Sequence, residues 1–90
     1  MQKLITQSYV MLENGEEHIL KYYLFSERQE HSGEAQYGIM ITQHDKKRIL
    51  SESVLISQNE ERVLQTIYSY AKNFVFPISL HDLVEDGAML

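Results

Sequence analysis

None of the 90 residues is a cysteine. A chain this short, with no disulfide, thiolate metal site or iron–sulfur ligand to staple it, must stabilise its fold by burying apolar side chains. With 43% of its residues apolar, it can build one compact domain over residues 1–90 and not two.

The pattern of those apolar residues predicts an antiparallel sheet over residues 1–56 and a helical part over residues 57–90. Residues 3–12 carry Ile5, Thr6, Tyr9 and Val10 and run into Asn14-Gly15, a dipeptide suited to a type I′ hairpin turn. A second strand follows over residues 17–27. Residues 26–36 are polar and read as an exposed loop. Residues 37–42 form a third strand in which Gly38 marks a bulge or a close backbone approach. Residues 48–56 have strand content weakened by Ser51, Glu52 and Ser53, so the sheet has three or four strands.

Ser57-Gln58-Asn59-Glu60 fits a capping box that starts a helix at Ser57. Val63, Leu64, Ile67, Tyr70, Ala71 and Phe74 then recur as the stripe of an amphipathic helix. Asn73 suits its C-cap, and Pro77 holds Phe76 extended and forces the chain to turn. Ser79 and Asp82 repeat the capping logic for a short final helix carrying Leu80, Leu83 and Val84, ended by Gly87. The expected fold is α+β, an antiparallel β-meander packed on one face by the C-terminal amphipathic helix plus the short final helix.

Such a sheet has a second face to cover. The strand over residues 17–27 places Ile19, Tyr23 and Phe25 on one side and His18, Leu20, Tyr22 and Leu24 on the other, and both sides are apolar. The final helix or the loop 26–36 could fold over the remainder. The sharper expectation is a homodimer, with Leu20, Tyr22 and Leu24 as interface residues.

Chemistry finds little support. The four histidines, His18, His31, His44 and His81, have no ligand spacing among them, so no metal and no cofactor is expected. Asp82, Glu85 and Asp86 near His81 read as the solvated face of a short helix that could serve as an acidic binding surface. No serine sits in a nucleophile elbow, and four scattered glycines cannot form a phosphate loop, so no catalytic residue stands out and no enzyme is expected. Thirteen acids against eight Lys and Arg leave a net charge of −5, which repels a phosphate backbone; Lys46-Lys47-Arg48 does not offset it, and nucleic acid is excluded as a partner. The longest apolar runs are too short to span a membrane, and the N-terminus lacks a signal-peptide core, so a cytoplasmic protein is expected.

Tyr37-Gly38-Ile39, the helix start Ile56-Ser57 and the ending Pro77-Ile78-Ser79-Leu80-His81-Asp82-Leu83-Val84-Glu85-Asp86 together form a recognisable pattern. Over residues 37–86 it resembles a family of small bacterial proteins, mostly from clostridia-like Firmicutes, classed as a domain of unknown function. The resemblance implies a cytoplasmic bacterial origin and brings no catalytic residue, cofactor or substrate. The functional expectation is a non-catalytic interaction or regulatory module that self-associates or binds another protein. The alternative is a small-molecule-binding domain with a pocket between helix and sheet lined by Tyr22, Tyr23 and Tyr70.

Overall fold

A computed structural model describes residues 1–87. Four strands, β1 (Gln2–Met11), β2 (Glu17–Arg28), β3 (Ala35–His44) and β4 (Ile49–Ser57), form one antiparallel sheet in the order β1-β2-β3-β4. Helix α1 (Glu60–Lys72), a single 3-10 turn (Pro77–Ser79) and the short helix α2 (Leu80–Glu85) follow. The α+β meander expected from the pattern is the fold, and residues 48–56 do supply the fourth strand.

The first hairpin turns by a different geometry from the one expected. Gly15 donates to the Leu12 carbonyl at 2.9 Å and Leu12 to the Glu16 carbonyl at 2.8 Å, a three-residue loop in which only Gly15 has positive φ, at 84°. A type I′ turn would need Asn14 there too. Instead the Asn14 side chain accepts from the Glu16 N–H at 2.9 Å and braces the loop. The polar stretch 26–36 is less of a loop than its composition suggests, because ladder pairing runs on from Ser26↔Tyr37 to Arg28↔Ala35.

Two bulges shape the edges. An extra residue, Ile5 in β1 and Ile56 in β4, breaks the register at each outer strand, and both packs against the core. A bulge twists an edge strand, and here it turns one more apolar side chain inward.

Helix α1 begins two residues later than the capping box implies. Asn59 is the N-cap and accepts from the Arg62 N–H at 3.1 Å, whereas Ser57 belongs to β4 and accepts from the Asn59 N–H at 3.0 Å. At the other end Asn73 is the C-cap as expected, but Phe74 does not continue the buried stripe. It takes φ 53° while its own N–H reaches the Ala71 carbonyl at 3.2 Å and that of Val75 the Tyr70 carbonyl at 3.0 Å, the paired bonds of a Schellman closure. Val75 is buried in its place, and Phe74 is half exposed. Phe76 is extended ahead of Pro77, the restriction a following proline imposes.

The core is a single cluster in which Val63, Ile67, Tyr70 and Ala71 from α1, with Val75 and Leu80, meet Leu20, Tyr22 and Leu24 from β2 and Ile39 and Ile41 from β3. Burying each of the larger side chains contributes about 1.5–3 kcal/mol. Polar ties fix the helical layer: the Tyr22 hydroxyl donates to the Val75 carbonyl at 3.0 Å, and Ser8 Oγ donates to the Ala71 carbonyl at 3.4 Å. Leu80, Leu83 and Val84 of α2 pack on this same cluster, so both helices lie on one side of the sheet.

Candidate functional site: the uncovered sheet face

Residues paired across an antiparallel ladder point to the same side, so the register lays out the outer face in rows. Gln2, Phe25, Gly38 and Leu55 form one row, and Leu4, Tyr23, Met40 and Ser53 the next. A polar belt of Gln7, Lys21, Thr42 and Ser51 follows, and beyond it Tyr9, Ile19, His44 and Ile49. Leu4, Tyr9, Met11 and Ile49 are exposed; Ile19, Tyr23, Phe25, Met40 and Leu55 are half-buried by their neighbours in the sheet. No helix among the described residues covers them. Within the face, Gln7 Nε2 donates to the Tyr9 hydroxyl at 2.8 Å, and Thr42 Oγ1 lies 2.8 Å from His44 Nε2.

A second feature lies at one end of the sheet, where the β1–β2 and β3–β4 turns stand side by side around an open cleft of about 410 Å³ lined by Asn14, Gly15, Glu16, Glu17, Asp45, Lys46 and Lys47. Its most distinctive groups are engaged in holding the fold. Asp45 Oδ1 accepts from the N–H groups of Lys47 at 2.7 Å and Arg48 at 2.8 Å. These two bonds, aided by the nearby Arg48 guanidinium, hold its carboxyl below the usual range. His18 is 5% exposed, with Nε2 3.2 Å from Glu16 Oε2 and Nδ1 2.8 Å from Gln43 Nε2.

The residues singled out from sequence are distributed differently from the expectation. Leu20, Tyr22 and Leu24 are not an interface: they are 0%, 0% and 3% exposed beneath the helices, because it is their side of β2 that α1 covers. The signal for the correct side was present, since Glu17, Lys21 and Glu27 share the parity of Ile19, Tyr23 and Phe25, and charges mark the face that meets water. Nor do Tyr22, Tyr23 and Tyr70 line a common pocket. Tyr22 and Tyr70 are fully buried in the core, while Tyr23 stands on the opposite side of the sheet. Burial pushes the Tyr22 hydroxyl up to about 12 and raises that of Tyr70 as well.

Asp82, Glu85 and Asp86 are exposed on and just after α2. His81 of that helix pairs with Glu52 of β4 at 3.2 Å, a contact that docks α2 against the sheet. Among the described residues no three His, Asp or Glu side chains are grouped to hold a metal, and no helix is long and apolar enough to cross a membrane.

No curated protein and no solved structure matches the chain. A family model does, and it extends over the first hairpin as well as the helical part: the chain belongs, over residues 1–89, to the Family of unknown function (DUF6514).

Proposed function

We propose that this chain is a non-catalytic interaction or regulatory module that pairs with a second copy of itself through the outer face of its sheet. The observation that carries the reading is the apolar content of that face, centred on Leu4, Tyr23, Met40, Phe25 and Leu55, with both helices on the other side. A four-strand face of this length has an area of about 600 Å², near the roughly 800 Å² per partner of a stable interface. Two such sheets stack face to face with their inner side chains interdigitated, as in a β-sandwich. Two-fold pairing is the simplest way for one patch to cover itself.

Light scattering during size-exclusion at micromolar concentration tests this. The expected mass is twice the 10.6 kDa of the chain, and Tyr23→Asp and Met40→Asp, in the middle of the face, are expected to return it to the single-chain mass without loss of fold. A wild-type species of single-chain mass throughout the concentration range would overturn self-pairing.

A further inference from the structure

We infer that the second copy lies antiparallel on the outer face, its two-fold axis crossing the strands at the level between Tyr23 and Phe25, so that Lys21 meets Glu27 of the partner subunit. This arrangement rests on the self-pairing reading above and gives it a geometry.

The outer side of β2 carries Glu17, Lys21 and Glu27, with the aromatic pair Tyr23 and Phe25 between the last two. Neither Lys21 nor Glu27 is in an ion pair among the described residues. Lys21 is half-buried in the polar belt at the middle of the face. Covering that face removes its ammonium from water, which is costly unless a counter-charge takes the place of the lost hydration.

Two two-fold arrangements of stacked sheets supply one, but the first, with the axis across the strands at Ile19, sets Lys21 against Glu17 of the partner subunit while leaving Tyr23 and Phe25 beyond the overlap. With the axis along the strands each row lies on its own copy, which sets Lys21 against Thr42 of the partner subunit and leaves both charges unpaired. With the axis across the strands at Lys21, two ammonium groups face each other. Moving it to the level of Tyr22 sets Glu17 against Glu27 of the partner subunit, again like against like. With the axis between Tyr23 and Phe25, Lys21 falls on Glu27 and Tyr23 on Phe25, each twice by symmetry, and Glu17 and the row of Tyr9, Ile19, His44 and Ile49 lie beyond the overlap. Two ion pairs then flank a centre of stacked aromatics, which favour such pairing beyond their buried area. Charges placed this way set register more than affinity.

Charge reversal tests the geometry. Lys21→Glu and Glu27→Lys each turn two attractive contacts into repulsive ones, so each is expected to raise the dimer dissociation constant by about tenfold or more. The double variant re-forms both pairs in the opposite sense and is expected to recover most of that loss. Added salt should weaken the wild-type dimer and strengthen either single variant. Thermal melts confirm that each variant folds; if a reversal does not, Lys21→Gln and Glu27→Gln with their double combination serve, each single change weakening the dimer and the second adding no further loss. A wild-type chain that stays single overturns the self-pairing reading and this arrangement together. A wild-type dimer that both single changes leave intact, or a double reversal no tighter than the singles, overturns the arrangement alone.

Discussion

The ring of Phe25 lies against Gly38 of the neighbouring strand, occupying the space that a side chain on residue 38 would need. A glycine in a strand interior ordinarily weakens the sheet. Here it makes room for an aromatic ring on the outer face beside the bulge at Ile56.

A methyl group at residue 38 would stand 2.7 and 2.8 Å from two carbons of that ring and run into the Val54 carbonyl oxygen. The ring can swing aside, but the carbonyl is backbone in the β3–β4 ladder. Gly38→Ala is therefore expected to cost about 1–3 kcal/mol, read as a fall in the thermal midpoint of roughly 4–8 °C per kcal/mol. An unchanged midpoint would mean that the bulged strand yields freely.

Phe74 holds left-handed backbone geometry that costs a side-chain-bearing residue about 1–2 kcal/mol, and the two closing hydrogen bonds of the α1 terminus depend on it. Comparing two variants that both lack the ring isolates the backbone contribution. Phe74→Gly is expected to be more stable than Phe74→Ala by about 1 kcal/mol, the reverse of their order inside a helix. Urea unfolding at matched m-values measures the gap, and an alanine variant as stable as the glycine one would show that the closure is lost when the ring is removed.

Local chemistry made the order of elements legible. Asn14-Gly15 marks the first turn, Pro77 breaks the helical layer, and the stripe Val63, Ile67, Tyr70 and Ala71 is the core face of α1. The details that escaped were those decided between elements. Ser57 and Asn59 are equally good caps, and only the length of β4 assigns the role to Asn59. Phe74 fits the apolar period, yet the helix closes one residue before it. Both sides of β2 are apolar, so periodicity alone could not say which one α1 covers; Lys21 and Glu27, read by parity, could have.

Asp45 ties the β3–β4 turn through its two backbone acceptor bonds, which favour the charged carboxylate. Because the folded state lowers its pKa, the stabilisation is fully present above the ordinary carboxylate range and is lost as the pH falls below that range and through the lowered folded value. Asp45→Ala should lower the thermal midpoint at neutral pH, with the difference from wild type shrinking under acid. A gap that persists undiminished at low pH would show that the turn is held by something other than the charge.

Tyr22 joins the sheet to the segment after α1 by donating its hydroxyl to the Val75 carbonyl at 3.0 Å in a fully buried setting. Tyr22→Phe leaves that carbonyl without its partner and is expected to cost about 1–3 kcal/mol near neutral pH. The two proteins should also respond differently to alkali. Burial raises the folded hydroxyl from 10.0 to about 12, so the unfolded chain ionises first, and the stability the neutral hydroxyl contributes is intact below pH 10 and drains away as the pH climbs toward 12. Urea midpoints measured across that interval should therefore fall more steeply for wild type than for Tyr22→Phe, narrowing the gap between them. Parallel curves would place the alkaline loss elsewhere, with Tyr70, also raised by burial, the next residue to replace.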